Sequence, residues 1–228
     1  EIGPGPGGLT RSILKKTPKK LIIIEKDKSF LTLLNDLKRE YPGKISLIHA
    51  DILEINLSQI SRINTKVIGN LPYNIATKIL TNLIPIPEQI SELVLTFQKE
   101  VADRIVSKPN KKSYGRLSIL VQSYCDISIE MNLSANVFYP NPKVDSRVLK
   151  FKPKKNRYRG INKTLLEDIT RATFGQRRKT IKKTLSDFGD PIEICRLADI
   201  IPGRRAAELS VEDYHSLHKA IMEKKQSN

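Results

Sequence analysis

From residue 1 to about 151, short apolar runs alternate with stretches of helical period, and this alternation predicts a parallel sheet with helices on its faces. Leu21-Ile22-Ile23-Ile24-Glu25 predicts a buried strand ending in an acid, and Asp27 to Glu40 an amphipathic helix closed by Tyr41-Pro42-Gly43. Ile45 to Ala50 predicts the next strand, with Asp51 directly after it. Lys66 to Asn70 predicts another, followed by Leu71-Pro72-Tyr73 and a helix from Asn74 to Leu83. Ile90 to Phe97 alternates as a strand does, and Lys99 to Ser107 reads as a short helix stopped by Pro109-Asn110. Asp126 to Leu133 and Val144 to Phe151 predict two late strands flanking the loop Phe138-Tyr139-Pro140-Asn141-Pro142, a hairpin-type sheet edge. Past Lys152 the pattern turns helical, around Leu165 to Phe174, Arg178 to Phe188, Glu193 to Asp199 and Val211 to Lys225. The expected class is therefore α/β in two domains, 1–152 and 153–228, with the boundary near 152 to 160.

Charge adds a partner to this picture. The 228 residues carry 40 Lys and Arg against 24 Asp and Glu, a net charge of +16, and thirteen of the bases face only two acids between Lys150 and Lys183. A single-sign block of that density draws a polyanion, because each neutralised phosphate releases counterions and the field steers encounter. The competing reading is a solvated helix face with a basic linker. No apolar run approaches the ~18 to 20 residues that cross a bilayer, so a membrane role is not expected. Cys125 and Cys195 lie far apart with no CxxC and no paired His, which indicates neither a disulfide framework nor a metal site; reduced thiols and a cytoplasmic location are expected.

Candidate chemistry gathers at the strand ends. Glu1-Ile2-Gly3-Pro4-Gly5-Pro6-Gly7-Gly8-Leu9-Thr10 reads as a Gly-rich turn opening a helix, with Glu25 following 22 positions after Gly3. Glycines there let a ligand lie against bare backbone at the carboxyl edge of a sheet. Gly3, Gly5 and Gly8 also satisfy G-x-G-x-x-G, a pattern that serves NAD as readily. Glu25 can accept both hydroxyls of a ribose and Asp51 can accept from an adenine amino group. Together they fit an adenosine without phosphates, such as S-adenosylmethionine, whose cationic sulfonium suits an acidic, carbonyl-lined pocket better than a pyrophosphate site. Asn70-Leu71-Pro72-Tyr73 supplies an amide oxygen, a main-chain carbonyl, a fixed bend and an aromatic plate on one turn. Two acceptors, Asn70 Oδ1 and the Leu71 carbonyl, can take the hydrogens of an exocyclic adenine amine and turn its lone pair outward, while Tyr73 stacks on the base.

These segments, with Phe97-Gln98-Lys99-Glu100-Val101-Ala102, Tyr114 to Ser118, Phe138 to Ser146, Phe174-Gly175-Gln176-Arg177-Arg178-Lys179-Thr180 and Arg205 to Ser210, resemble the ribosomal RNA adenine N6,N6-dimethyltransferases, and among them the bacterial small-subunit branch. The resemblance spans nearly the whole chain. It implies a seven-stranded, Rossmann-like S-adenosylmethionine-dependent methyltransferase sheet followed by a small α-helical rRNA-binding domain. The implied activity moves four methyl groups from S-adenosyl-L-methionine to two adjacent adenosines in a stem-loop near the 3′ end of small-subunit (16S) rRNA, on the immature 30S subunit, by a monomer. Carried over, Glu1, Gly3, Gly5, Gly7, Glu25, Lys26, Asp51, Ile52 and Asn70 would hold the cofactor. Asn70, Leu71, Pro72 and Tyr73 would form the target-amine site, and Phe138 the second aromatic face. Arg177, Arg178, Lys179, Lys182 and Lys183, expected at a helix start, would meet RNA; they span about two turns and cannot all face one way. Family members carry a further segment before the glycine loop, so an N-terminally truncated sequence is expected. The alternatives are the large-subunit rRNA dimethyltransferases of macrolide resistance, a non-catalytic rRNA-binding assembly factor, and an NAD oxidoreductase. The last lacks an evident acid or base, since His49 sits at a strand end and His215 and His218 in the last helix.

Overall fold

The branched apolar runs form strands where neighbouring runs can cover them. β1 (Leu21–Glu25) pairs in parallel with β2 (Ile45–His49), and β3 (Thr65–Gly69) in parallel with β4 (Ile90–Gln98). Ile2 bridges Ile24 on one side and Gly69 on the other, joining the two pairs into one sheet. β4 continues antiparallel into β6 (Ser146–Pro153), and β6 into the edge strand β5 (Cys125–Leu133). Lys150 meets Glu130 at 2.8 Å and Arg147 Nε donates to Asn132 Oδ1 at 2.8 Å, so β5 and β6 also run in opposite senses. Among the described residues, six strands and the single residue Ile2 thus occupy the positions for which seven strands are expected. This computed structural model describes residues 1–139, 141–154 and 160–227. Pro140 of the proline loop, and Lys155, Arg157 and Arg159 of the basic block, lie outside the described residues.

The helices are α1 (Gly8–Leu14), α2 (Leu31–Glu40), the single turn α3 (Leu57–Ile60), α4 (Tyr73–Leu83), α5 (Lys99–Ile105), α6 (Arg116–Tyr124), α7 (Lys163–Gly175), α8 (Pro191–Leu197) and α9 (Val211–Ser227). No helix among the described residues is long and apolar enough to cross a membrane. Two compact units emerge, Glu1–Lys99 with Ser128–Lys152, and Glu100–Ile127 with Pro153–Asn228. In the first, Leu14, Leu21, Ile23, Leu34, Leu37 and Ile45 form a core between α1, α2 and the first strands, and Phe97 meets Phe151 edge-on at 6.0 Å. In the second, α6, α7 and α9 pack on one another, and α8 on α9.

The structure departs from the sequence pattern at three places. Residues 100–127 group with the second unit and not with 1–152, because α6 spends its apolar surface on α7 and α9. α6 itself has no amphipathic signature: Ser118, Ile119, Leu120, Val121, Ser123 and Tyr124 are all buried, so the stripe that reveals a surface helix is missing. The helix expected over Arg178 to Phe188 is instead two 3₁₀ turns, Ile181–Lys183 and Ser186–Phe188. Ile181 and Leu185 are fully buried as the spacing demands, but the amides of Ile181 and Lys182 donate to Arg204 and Pro202 carbonyls at 2.8 and 3.2 Å, which leaves no i to i−4 ladder.

Candidate active site

Parallel pairing brings several chain turns to one edge of the sheet. Glu25 stands in register with His49, and Ile2 ties Ile24 to Gly69, so the glycine loop, Glu25, Asp51 and Asn70 leave successive strands on the same side. Gly3, Gly5 and Gly7 hold φ of 62, 55 and 83°, a left-handed region closed to most side chains. A Cβ on Gly3 or Gly5 would meet nothing within 4 Å. Conformation, not crowding, therefore requires glycine there, and the backbone lies open to a ligand.

The acids around this loop are already at work. Glu25 is 6% exposed; its Oε2 accepts from the Gly5 amide at 3.1 Å and its Oε1 from the Asp27 amide at 2.7 Å. Asp51 Oδ2 accepts from Lys26 Nζ at 2.8 Å and Oδ1 from the Leu53 amide at 2.9 Å; the Lys26 ammonium, then that amide, hold its carboxyl below the usual range. Each carboxylate oxygen keeps a second lone pair for a ligand hydroxyl or amine. Glu1 Oε2 accepts from Thr10 Oγ1 at 2.6 Å, while Glu1 Oε1 is buried with no partner. Burial raises the Glu1 pKa, with the nearby Glu25 charge adding to the rise. Ile52 is a core residue, 6% exposed, able to offer only an apolar wall.

The Asn70–Tyr73 turn is pinned at both ends. Leu71 is 2% exposed and its Cδ2 would lie 2.8 Å from a Cβ on Gly69, so its side chain anchors the turn below while the Asn70 side chain stays exposed. The Pro72 carbonyl accepts from the amides of Ile75 and Ala76 at 3.1 and 3.0 Å and starts α4. Tyr73 hydroxyl lies 2.6 Å from Oγ of the fully buried Ser146 on β6. Ser146, which the sequence reading does not single out, thus fixes the tyrosine ring across a separation of 73 residues. Ser146 also pairs with Gln98, so the loop that precedes it emerges at the same edge. Asp145 secures that loop: its carbonyl accepts from the Lys99 amide at 2.9 Å and its Oδ1 from the Ala135 amide at 3.1 Å. Phe138 follows the 3₁₀ turn Ala135–Val137 on this loop, half-buried.

In the second unit, Arg177, Arg178, Lys179, Lys182 and Lys183 are exposed, but they follow the end of α7 at Gly175 and do not begin a helix. Gln176, at φ −124° and ψ 53°, breaks the helix, and Thr180 bridges Arg205 in an antiparallel sense. The sequence profile of the ribosomal RNA adenine dimethylase family matches residues 1–223. The chain belongs to that family.

Among curated relatives, a ribosomal RNA small subunit methyltransferase A of Ehrlichia ruminantium is 40% identical over 222 residues, covering 97% of this chain and 85% of the relative. Its counterpart in Paramagnetospirillum magneticum is 35% identical over 221 residues, covering 97% and 79%. A dimethyladenosine transferase from Plasmodium falciparum shares the fold with a TM-score of 0.82 at 23% identity, over 98% of this chain and 89% of that one. A 23S rRNA methyltransferase does so with a TM-score of 0.69 at 20% identity, over 97% and 89%. The dimethylase family is S-adenosylmethionine-dependent, and this member's first unit fits that cofactor. The open backbone at Gly3 and Gly5 leaves room for it, and the unpartnered Glu1 Oε1 beside Glu25 suits a ligand bearing N–H groups and positive charge.

Proposed function

We propose that this protein methylates N6 of two adjacent adenosines in a stem-loop near the 3′ end of small-subunit rRNA, to N6,N6-dimethyladenosine, on the immature 30S subunit in the cytoplasm. The observation that carries the reading is the rigid Asn70–Tyr73 turn, one strand from the open glycine loop and on the same sheet edge. When bound, S-adenosylmethionine supplies an electrophilic methyl group on sulfur.

The protein's own residues do the rest. Gly3, Gly5, Gly7 and Glu1 receive the methionine part, Glu25 the ribose, and Asp51 with Lys26 and Ile52 the adenine. Asn70 Oδ1 and the Leu71 carbonyl accept the two amine hydrogens of the target base, which withdraws its lone pair from the ring and points it at the methyl. No strong base is needed, because the proton can leave to solvent after transfer. Tyr73, held by Ser146, and Phe138 sandwich the flipped base, whose unstacking costs a few kcal/mol that stacking on two aromatic faces offsets. The second unit, with Arg177, Arg178, Lys179, Lys182 and Lys183, carries the RNA, and the protein acts as a monomer.

Radiolabelled methyl transfer with unmethylated small and large subunits offered side by side, followed by digestion, should yield N6,N6-dimethyladenosine from small-subunit RNA. Label appearing only in large-subunit RNA would overturn the reading in favour of the resistance-type enzymes.

A further inference from the structure

The loop between β5 and β6 carries Phe138, and its two ends are tied to each other. Asp145 is the last residue before β6, and its Oδ1 accepts from the Ala135 amide, ten positions back, at 3.1 Å. The Ala135 carbonyl accepts in turn from the Phe138 amide at 3.2 Å, so two hydrogen bonds in series lead from the Asp145 carboxylate to the backbone of the aromatic residue. Asp145 is itself seated: its carbonyl accepts from the Lys99 amide at 2.9 Å, one step beyond the Gln98–Ser146 pair. The next residue, Ser146, meets the Tyr73 hydroxyl at 2.6 Å. One dipeptide at the head of β6 therefore holds both aromatic residues, Tyr73 through a side chain and Phe138 through the 3₁₀ turn Ala135–Val137.

We propose that Asp145 is a positioning residue that sets Phe138 against the target base, and that the second methyl transfer to each adenosine depends on it more than the first. The inference rests on the reading of the protein as an adenosine dimethyltransferase and names what lets it complete a dimethylation. In each transfer the bond between N6 and the methyl carbon forms as the carbon–sulfur bond breaks, sulfur keeps that bond's electron pair, and one N6 hydrogen leaves to solvent as a proton. An unmodified amine offers two hydrogens, and Asn70 Oδ1 and the Leu71 carbonyl take both. A monomethylated amine offers only one. One acceptor then lacks its partner, and stacking between Tyr73 and Phe138 carries more of the base's orientation. Phe138, half-buried on its loop, takes its place from the Asp145 clasp. Slack in that clasp costs little while two hydrogen bonds aim the amine, and much more once a single one does.

The test is timed methylation of unmethylated small and large subunits by the full chain, with N6-methyladenosine and N6,N6-dimethyladenosine compared after digestion at equal total methyl incorporation. Asp145→Ala removes the acceptor and should raise the ratio of monomethylated to dimethylated product roughly fivefold, the scale of one lost hydrogen bond. Asp145→Asn keeps an accepting oxygen without the charge and should return the ratio close to that of the unmutated protein. Ala135→Pro removes the donor instead and leaves Asp145 intact. The first position of a helical turn accepts proline, and Ser134, at φ −63° and ψ 148°, already has the conformation that precedes one. Ala135→Pro should therefore copy Asp145→Ala with an unchanged thermal midpoint, and it decides the matter if Asp145→Ala folds poorly. S-adenosylmethionine affinity should hold in every variant. An unchanged ratio in Ala135→Pro, or an Asp145→Asn ratio as high as that of Asp145→Ala, overturns the proposal while the enzymatic reading stands. An unmutated protein that transfers no methyl overturns both. Label in large-subunit RNA alone overturns only the small-subunit assignment, and the ratio measured there still decides the role of Asp145.

Discussion

Asn70 contacts no phosphate in the proposed reaction, so its loss should separate rate from affinity. Asn70→Ala is expected to abolish methyl transfer while rRNA binding stays nearly intact; equal losses in both would make Asn70 a structural residue. Ser146→Ala removes the partner of the Tyr73 hydroxyl, about 1 kcal/mol of restraint, and should lower kcat roughly fivefold with unchanged S-adenosylmethionine binding. Single-turnover kinetics beside calorimetry decide this, and a fall in cofactor affinity instead would place Ser146 outside the target-base site. The turn that carries Asn70 and Tyr73 was legible because Leu71-Pro72 directly follows an apolar run and precedes a helical pattern. Ser146 was not, since its importance lies in a contact across the sheet that no local spacing encodes.

Elements ending in acids read well from sequence because a buried strand announces itself by an unbroken apolar run and its end by the first charge, as in Ile22-Ile23-Ile24-Glu25. α6 and the 178–188 segment read poorly: one is buried on every side, the other is drawn into bridging 202–205. In the proposed reaction Glu25 and Asp51 have double duties, holding their own loops and the cofactor. Replacing either by Ala should weaken S-adenosylmethionine binding by ~1 to 3 kcal/mol. Glu25→Ala should also lower the thermal midpoint, since it frees the Gly5 and Asp27 amides. Tight NAD binding in the same calorimeter would sink the cofactor assignment. At the other end of the chain, the Asn162 amide at the start of α7 donates to His218 Nε2 at 2.9 Å, which requires that nitrogen unprotonated. Burial lowers the His218 pKa, and desolvation does the same to the half-buried His215. Below about pH 6.5 the unfolded chain takes up protons that these folded histidines refuse, so stability should fall as pH drops from 6.5, by up to ~1.4 kcal/mol per unit for each group. Thermal midpoints at pH 7.5 and 5.5 check this. The drop should shrink in His218→Gln, and an equal drop would mean that other groups govern acid sensitivity.

For the whole molecule, the net charge of +16 fits an rRNA substrate, but a run of cations in sequence says nothing about which of them converge. Lys111 and Lys112 lie far outside the basic block and still share a cavity with Arg178. The same interleaving constrains how the chain can be made. The polypeptide leaves the first unit after Lys99, returns at Ser128 and leaves again after Lys152. During synthesis the sheet can close once β6 has emerged, while α6 has already been extruded and must wait for α7 and α9 to arrive. A newborn chain therefore passes through a stage in which the faces of α6 that later pack on α7 and α9 stand unclad between two strands. Expression of 153–228 alone would reproduce the opposite defect, α7 and α9 with nothing to fill the place of α6, and should give an aggregating or molten fragment by circular dichroism and dye binding. Co-expressing Glu100–Ile127 fused ahead of it should restore cooperative unfolding.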